Sequence, residues 1–552
     1  MTVNEQEKNT SWAVIAMLAA AQFIMVLDTT VMNVSISQVV EDLNTTVVGL
    51  QTAITFYTLV MAAFMLTGGK LGDRWGAKRA YMIGMLIYGT GSLITAFSPN
   101  LAVLLVGWSF IEGFGAVLVI PAIAALTAIT YTGRQRALAY GILGGVTGIS
   151  AALGPLIGGW VTTNLTWRIV FAAETVTVLV LMLFLRLIPA TKGRLSKLDV
   201  GGSLLSAAGL GIAVFGILRS SQWGWLTPKS AAPFTPLGLS PVIFLIVLGL
   251  TLLGLFIRRE EKLAAEGKEP LLDMALLKIP QLRAGLTTLG SQQFMIMGIF
   301  FVLPLYLQTV IGYNALETGI AILPLSLSLF AMALVGASLT TRYSPKRIVE
   351  VGLVSMLAGG VMLIAFVEPT LRSLGFSAAL VLVGAGTGLL VSQLGNVIMS
   401  SVSSERSGEA GGLQGTAQNL GASLGTALVG SMLIASLVGN FQQAVLVNPA
   451  LADISDELVA AAEENANFVS TDQLSAALTT AGLSPDQVDA TVDAYAAAQI
   501  VALKAAFAVV VLFALIALWY VRRFPTQPQI KEEAALSPPA AAKPARKRSK
   551  AS

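Results

Sequence analysis

The chain is poor in charge and lacks two residue types that many enzymes need. Among its 552 residues there is no cysteine and no histidine, and only 12% are Asp, Glu, Lys or Arg. The absence of cysteine excludes disulfides and thiolate metal sites, and the absence of histidine excludes imidazole relays, His-ligated zinc and Ser–His or Cys–His catalysis. There is also no Gly-x-x-x-x-Gly-Lys-Ser/Thr segment to bind ATP, so any transport by this chain would need an ion gradient.

Apolar residues dominate instead, and they come in long runs. Hydrophobic residues make up 55% of the chain, and the mean hydropathy is +0.77. A soluble domain carries roughly 25% charged residues, about twice the share found here. Runs with few or no charges include Ile83–Phe97, Leu101–Ala128, Val176–Ala190 and Gly375–Val391. Such lengths match a hydrocarbon core of ~30 Å, so we expect an all-α, multi-pass membrane protein whose first span, from Trp12, is retained rather than cleaved.

Dividing the apolar sequence into spans of about 20 residues predicts fourteen transmembrane helices. Their approximate centres are Gln22, Leu59, Tyr88, Ile111, Ile149, Leu179, Gly209, Leu248, Ile299, Leu327, Ala358, Val383, Leu428 and Leu512. With both termini in the cytoplasm, most Lys and Arg residues lie in inner loops, as the positive-inside rule requires. The longest outer segment, 440–497, then contains nine acidic residues and no Lys or Arg.

Two glycine-marked and charge-marked segments recur at a nearly constant distance along the chain. Residues Leu71, Arg74, Lys78 and Arg79 have counterparts 268 positions later, and five glycines recur 267 positions later. Those glycines are Gly144, Gly145, Gly148, Gly154 and Gly158, followed by Gly411, Gly412, Gly415, Gly421 and Gly425. Parallel six-helix repeats are typical of alternating-access carriers, so the repeat predicts a plan of six, two and six helices.

This plan divides the chain into units that follow one another in sequence. The predicted units are a cytoplasmic N-terminus (1–11), an N-terminal six-helix bundle (12–190), two linker transmembrane helices (199–258), a cytoplasmic loop (259–283), a C-terminal six-helix bundle (284–523) that includes the acidic outer loop (440–497), and a disordered basic cytoplasmic tail (524–552). Within the outer loop, the pattern predicts short helices over Asp453–Glu464 and Thr471–Thr479, with Thr471 as a helix cap.

The loop between the second and third spans contains a dense motif of glycine and charged residues. It reads Gly69-Lys-Leu71-Gly-Asp73-Arg74-Trp-Gly76-Ala-Lys78-Arg79 and resembles, almost letter for letter, the cytoplasmic loop signature of the major facilitator superfamily. Its glycines permit a tight turn. Asp73 stands where it can pair with a cation or a helix N-terminus of the opposite half and latch the inner gate. The second copy has Thr341 at this position, so the latch is expected mainly in the first.

The fifth span contains Gly148, Gly154, Pro155, Gly158 and Gly159. This segment resembles the antiporter motif of the drug-exporting branches of the same superfamily. Small residues let helices approach closely, and the proline is expected to bend the span. The resemblance implies export, whereas glycine packing without any bearing on the direction of transport is the alternative.

The first span reads Leu27-Asp28-Thr29-Thr30-Val31-Met-Asn33-Val34 and resembles the first-helix signature of the fourteen-helix drug:proton antiporters. Segments 301–308 and 421–427 agree with that branch, which includes quaternary-ammonium and multidrug exporters. The resemblance extends from Trp12 to about Phe524. It implies the major facilitator fold and alternating access driven by protons.

Three acidic residues inside predicted spans are candidates for proton coupling. A carboxylate within a span costs ~3 kcal/mol on insertion scales, so Asp28 is expected to face a cavity and to serve a function, with a structural hydrogen bond to a neighbouring helix as the alternative. In the fourth span the usual Arg-x-x-Gln-Gly of the family reads Ser109-Phe-Ile-Glu112-Gly113, so an arginine is lost and an acid is gained. Glu112 is the second candidate, with a hydrogen bond to Ser109 or a facing helix as the alternative. Glu174, in the sixth span, is the third.

The resemblance implies a proton-coupled exporter of amphipathic, cationic or lipophilic molecules in the bacterial inner membrane. The expected partners are a small-molecule substrate, protons and the lipid bilayer, with no nucleic acid, cofactor or metal and no enzymatic activity, and the chain is expected to act as a monomer. Export of a lipid or a secreted metabolite by the same fold is the alternative, and a channel is a remote one. Polar residues chosen by their placement in spans of the second half to line a substrate cavity are Gln292, Gln293, Tyr306, Gln308, Gln393 and Asn396.

Overall fold

The computed structural model describes residues 12–131, 133–191, 193, 199–229, 232–339, 342–369, 373–402, 407–464 and 467–524. All regular secondary structure within these residues is helical. The predicted N-terminal segment 1–11 and all but the first residue of the predicted basic tail lie outside the described residues.

Fourteen long helices account for most of the described chain, and each predicted span centre falls within one of them. They are α1 (Ala13–Val34), α2 (Val47–Trp75), α3 (Ala77–Ala96), α4 (a turn at Leu101–Leu104 and a π-helical segment at Leu105–Glu112 leading into Gly113–Thr130), α5 (Gly133–Asn164), α6 (Arg168–Leu183), α7 (Val200–Trp223), α8 (Pro241–Ala265), α9 (Pro280–Leu305), α10 (Ala315–Leu339), α11 (Pro345–Phe366), α12 (Ser373–Met399), α13 (Ser407–Val447) and α14 (Pro485–Tyr520).

Twelve of the helices in the described residues are long and apolar enough to cross a membrane. The two outside this set are α3, whose first turn contains Lys78 and Arg79, and α6, which has only 16 residues. The outer face of α6 is nevertheless apolar, since Val176, Leu179 and Leu183 are 59%, 58% and 75% exposed. The count of fourteen membrane spans therefore stays a prediction for α3 and α6.

The two six-helix halves repeat one packing plan. In the first half α1 packs against α5 and α4 packs against both α2 and α3. In the second half the equivalent contacts join α9 with α13 and α12 with both α10 and α11. Across the interface α2 meets α13 and α5 meets α10, and each pair is the other's equivalent in the repeat. This is the contact pattern that two parallel repeats related by an axis along the membrane normal produce.

Helices α7 and α8 form a hairpin beside the interface between the halves. They pack against each other, and α7 also contacts α2 and α13. A small apolar cluster fills this contact and consists of Leu59, Val214, Leu218 and Ala427. The hairpin thus covers one interface between the bundles, and the opposite one, between α5 and α10, has no such cover among the described residues.

The helix α8 continues beyond the predicted end of the linker helices at residue 258. Arg259 forms an ion pair of 2.7 Å with Asp199, and Glu260 accepts a hydrogen bond of 2.9 Å from the Leu272 backbone. The Arg259 guanidinium holds the pKa of the Asp199 carboxyl below its usual value. Because these charges find partners, the helix extends to Ala265, and the connecting segment before α9 is shorter than the predicted loop 259–283.

The acidic segment between α13 and α14 folds over one end of the molecule. It contains helices Ser455–Glu464 and Thr471–Thr480, and the second is capped by Ser470 rather than by Thr471. The Asn467 side chain accepts a hydrogen bond from the Val47 backbone at the start of α2, and the Tyr495 hydroxyl donates to the Asn467 carbonyl. The segment therefore joins the first half to the second at this end.

Candidate functional site

Three buried carboxyl groups meet inside the N-terminal half. Asp28 comes from α1, Glu112 from the π-helical segment of α4 and Glu174 from α6, and one carboxylate oxygen of each lies within 4.8 Å of those of the other two. These side chains are 0%, 0% and 2% exposed. The structure thus brings all three sequence candidates into one cluster, which we call the acid triad.

An indole ring holds Asp28 in place. The Nε1–H of Trp108 donates to both carboxylate oxygens of Asp28, at 2.9 and 3.0 Å. The Trp108 ring stacks on Tyr57 with 4.8 Å between ring centroids and 8° between the planes, and both residues are buried. The carboxyl of Asp28 is therefore oriented from α4 and α2 together.

A single serine hydroxyl joins the other two acids. Ser92 Oγ lies 2.9 Å from Glu112 Oε2 and 3.2 Å from Glu174 Oε2, and the Tyr88 hydroxyl donates to Glu174 Oε2 at 3.4 Å. A serine hydroxyl has only one proton to donate, so both Ser92 contacts are hydrogen bonds only when one carboxyl carries a proton. The second oxygens, Oε1 of Glu112 and Oε1 of Glu174, are buried and have no hydrogen-bond partner among the described residues.

Glycines let α3 and α4 approach closely enough for these contacts to form. A Cβ atom on Gly91 would lie 2.5 Å from the Glu112 backbone nitrogen and 2.7 Å from the Gly107 carbonyl. On the other side, Ser109 donates to the Ala53 carbonyl of α2 at 2.7 Å. Ser109 stands where the related family has arginine, and its hydrogen bond goes to the α2 backbone, so it is not the partner of Glu112 that the sequence alternative suggested.

The triad contains more acid than its surroundings neutralise. None of the ion pairs among the described residues involves a triad member. Two unit charges 4.8 Å apart repel by roughly 3.5 kcal/mol at an effective dielectric constant of about 20, and this holds for each ionised pair. The three acids therefore need to hold protons or share a cation. The oxygen ligands would suit a hard cation such as Na⁺ or Ca²⁺, although the sequence predicted no metal.

Sequence reasoning did not single out Tyr57, Tyr88, Ser92 or Trp108. Tyr88 and Ser92 are four residues apart on α3 and both are buried, which is the one signal that a search for polar residues on a shared helical face would have detected. For Trp108 and Tyr57 no such signal exists in the sequence, because their contacts with Asp28 and with each other join three different helices.

The gate motif forms the junction between α2 and α3. Gly76 has φ of +87°, which favours glycine, and a Cβ there would overlap the Thr191 carbonyl. Lys78 donates from its backbone nitrogen to Thr191 Oγ1 at 3.0 Å and from Nζ to the Ile188 carbonyl at 2.6 Å. Asp73 lies in the last turn of α2, and its side chain is outside what the structure describes. The remaining motif residues flank this turn at Gly69, Leu71, Arg74 and Arg79.

The antiporter motif packs α5 against two neighbours. A Cβ on Gly154 would lie 2.5 Å from Thr30 Cβ, and a Cβ on Gly158 would lie 3.0 Å from the Val31 Cα, so this face of α5 touches α1. Gly159, Pro155 and Gly148 approach α10, at Leu316, Gly319 and Phe330 respectively. The motif thus contacts both halves, and its bearing on the direction of transport stays a prediction.

The six polar candidates for a substrate cavity have different surroundings. Gln308 donates to the Val34 carbonyl at 2.6 Å and accepts from the Ser37 backbone at 3.3 Å, so it joins the end of α9 to the end of α1. The Tyr306 hydroxyl donates to the Glu368 carbonyl near the same end. Gln308 therefore joins the two halves through backbone groups of α1, and its place in a substrate cavity stays a prediction.

The other four candidates form two pairs, Gln292 with Gln293 on α9 and Gln393 with Asn396 on α12. Gln393 donates to the Gly336 carbonyl at 3.0 Å, Gln293 is half-buried, and Asn396 is exposed near the end of α12. Gln292 is fully buried, and neither its amide nitrogen nor its amide oxygen has a partner among the described residues. Of the six, Gln292 is the best candidate to bind a ligand, because a buried amide without a hydrogen-bond partner is unusual.

Comparisons with known proteins agree on one family. The model of the Major Facilitator Superfamily matches residues 18–426. The puromycin resistance protein of Streptomyces alboniger is 29% identical over 403 residues, which cover 72% of this chain and 76% of that protein. The tetracenomycin C resistance and export protein of Streptomyces glaucescens is 28% identical over 436 residues, covering 78% and 77%. Among solved structures, a bacterial homologue of the human lysosomal transporter Spinster has a similar fold, with a TM-score of 0.60, 14% identity and coverage of 93% and 97%.

Proposed function

The chain belongs to the Major Facilitator Superfamily of membrane transporters, and on that premise we propose that it is a proton-coupled antiporter that exports amphipathic or lipophilic small molecules by alternating access. The family and the fold are those of multi-pass transporters, not of enzymes. The observation that supports proton coupling best is the acid triad. Its three carboxyls lie together in a buried place, and among the described residues no Lys or Arg forms an ion pair with any of them.

In this proposal the triad exchanges protons for a positively charged substrate. A cationic substrate near Asp28, Glu112 or Glu174 stabilises the ionised carboxylates. When no substrate is bound, protonation removes the repulsion between the carboxylates. Ser92 provides a hydroxyl between Glu112 and Glu174 through which a proton can pass. Proton binding and substrate binding therefore exclude each other electrostatically, and antiport requires this exclusion.

The finer assignment to the fourteen-helix drug:proton antiporters is also part of the proposal. It is supported by the first-span signature around Asp28, by helices at all fourteen predicted centres and by the α7–α8 hairpin between the two halves. With both termini in the cytoplasm of a bacterium, the acidic segment between α13 and α14 would face the outside of the inner membrane. Asp73 would then latch the inner gate.

Export of a secreted metabolite is the second candidate within the same mechanism. One relative is named a tetracenomycin C resistance and export protein, and another, from Streptomyces coelicolor, is named a probable actinorhodin transporter. Both names describe the handling of a metabolite by related chains. A substrate panel containing both synthetic amphipathic cations and aromatic metabolites would separate the two candidates.

The proposal is tested with purified protein in liposomes under an imposed pH gradient. Ethidium movement and substrate-linked proton release are followed together for the wild type, Asp28→Asn and Glu112→Gln. We expect Asp28→Asn to abolish proton-driven transport and Glu112→Gln to impair it or change its pH profile, with both variants folded because neutral amides are cheaper to bury than charges. Glu350→Gln is the matched control, since Glu350 is partly exposed and its ion pair within the described part of the chain is with Lys346. Full proton-linked transport by Asp28→Asn, or transport driven by a Na⁺ gradient alone, would contradict the proposal.

A further inference from the structure

The loop that joins α7 to α8 presents large apolar side chains outside the two long helices. Trp225, Leu226 and Phe234 are 49%, 56% and 58% exposed, and Leu237 is 90% exposed. Trp223 and Trp225 stand together at the end of α7, and tryptophan is enriched where a membrane meets water. The tip of the hairpin therefore marks the level of the lipid head groups at this end of the molecule.

Arg219 lies four residues before Trp223, inside a segment that is long and apolar enough to cross a membrane. Four helical residues correspond to about 6 Å along the axis, so the long arginine side chain can reach the head groups. Its guanidinium carbon lies 5.5 Å from the centroid of the Phe215 ring and 5.7 Å from that of the Trp223 ring. The two rings attract the charge without neutralising it.

The charge of Arg219 has no acidic partner within the described residues, since none of their ion pairs involves it. Nη1 donates to Gln222 Oε1 at 2.7 Å, and Nε is buried without a partner. Nη2 has no hydrogen bond to a described residue either, but it is not buried as Nε is, and the side chain as a whole is partly exposed. Cations in membrane helices are usually paired, so Nη2 is a donor available to an anion from outside the chain.

Aromatic rings form an apolar surface one turn deeper in the membrane than the guanidinium. Phe215 of α7 lies 6.3 Å from Phe56 of α2, and Phe56 lies 5.7 Å from Phe110 of α4, measured between ring centroids. We call these three residues the aromatic row. Phe110 is 40% exposed, so the row opens to the surrounding lipid at α4. The charge and the row thus follow the order of a phospholipid, whose phosphate lies above its acyl chains.

We propose that Arg219 and the aromatic row bind one phospholipid, whose phosphate oxygen accepts from Nη2 and whose acyl chain lies across the three rings. The guanidinium selects phosphate because its planar fork and fixed charge suit an oxyanion. The row selects a lipid over free phosphate, because an inorganic anion leaves the rings unused. The site uses no residue of the acid triad, so it goes beyond the proposed export function and ties α7 to the membrane interface.

The test uses the full-length protein in dodecylmaltoside, a detergent without phosphate. The probe is a phosphatidylglycerol that carries a photoactivatable diazirine in one acyl chain, and labelled peptides are located by mass spectrometry. We expect saturable labelling of peptides that contain Phe56, Phe110 or Phe215. Unlabelled phosphatidylglycerol should displace the probe, whereas diacylglycerol with the same chains and inorganic phosphate at the same concentration should not. Arg219→Gln should reduce this labelling by about tenfold, and Arg219→Lys should reduce it less, because lysine keeps the charge without the fork.

Lys262→Gln is the matched control, since it removes one positive charge at the other end of the same hairpin, from a side chain that is 78% exposed. It should leave labelling of the aromatic row unchanged. Displacement by diacylglycerol that equals displacement by phosphatidylglycerol would overturn the proposal, as would displacement by inorganic phosphate, which would indicate a site for a free anion. Unchanged labelling in Arg219→Gln would contradict it as well. The displacement arms use wild-type protein, so they test the proposal even if Arg219→Gln fails to fold.

Discussion

Substituting Gly154 by alanine should impair coupling without adding or removing any charge. Gly154 faces α1, where an added Cβ would lie 2.5 Å from Thr30 Cβ. Carbon atoms in contact are usually ~3.5–4.0 Å apart, and the added Cβ would also overlap Thr30 Oγ1, so α1 and α5 must separate by at least about 1 Å. Thr30 cannot relieve the overlap by rotating, because its hydroxyl donates to the Leu27 carbonyl at 2.8 Å and its Cβ is fixed to the backbone.

This displacement of α1 is large enough to break the neighbouring hydrogen bonds between Trp108 and Asp28. Asp28, two residues before Thr30, accepts from Trp108 at 2.9 and 3.0 Å, and a contact of about 3.6 Å is no longer a hydrogen bond. Thr30 and Asp28 are separated by about 200° around α1, so a push from α5 on Thr30 drives Asp28 toward the indole and is relieved only when α1 shifts sideways and breaks that contact. Losing a hydrogen bond to a charged group costs ~1.5–3 kcal/mol, so the rate of proton-linked ethidium transport should fall by about ten- to a hundred-fold.

The matched control lies on the same helix. Among the described residues no atom beyond the local helix backbone lies within 4 Å of a Cβ added to Gly145, so Gly145→Ala should transport like the wild type. Thr30→Gly removes the overlapping group, and in combination with Gly154→Ala it should restore much of the lost rate, giving a strong coupling in a double-mutant cycle. Wild-type transport by Gly154→Ala, or additive effects in the double variant, would refute the link between the glycine and Asp28.

Two further predictions concern the proton path and the topology. Ser92→Ala removes the hydroxyl that joins Glu112 to Glu174 and should slow proton release from liposomes by about tenfold, whereas Ser92→Thr keeps the hydroxyl and should retain most of the rate; equal rates in both variants would exclude a relay role. A reporter active only outside the cytoplasm should be active when fused after Ala476 and inactive when fused after Lys543, and the opposite result at either position would contradict the proposed fourteen spans with cytoplasmic termini.

The sequence by itself determined the class of the molecule and the position of its helices. Apolar runs are local properties of the chain, and a helix satisfies its own backbone within one segment, so each of the fourteen centres could be predicted without knowing its neighbours. The repeat was readable for a similar reason, because the second half repeats glycine and charged positions of the first at a nearly constant distance along the chain. Adding 268 to the bounds of α3 gives 345–364, where α11 runs from Pro345 to Phe366.

Helix ends were less predictable, because they depend on which partners the charged and capping residues find. The extension of α8 past residue 258 rests on Asp199 and on the Leu272 backbone, which come from distant parts of the chain. The acidic segment is capped at Ser470 because its hydroxyl and the Gln473 side chain form a reciprocal pair, a detail that neighbouring Ser and Thr residues leave ambiguous in sequence.

The candidate site divides in the same way between local and tertiary information. Asp28, Glu112 and Glu174 were selected one at a time, because an acid within an apolar span is costly wherever it occurs. Only the packing of the helices decided that they share one place, that Trp108 and Ser92 are their partners, and that Gln308 joins the ends of α1 and α9. Helices form from neighbours in sequence, whereas a site forms from side chains that meet only after the helices have packed.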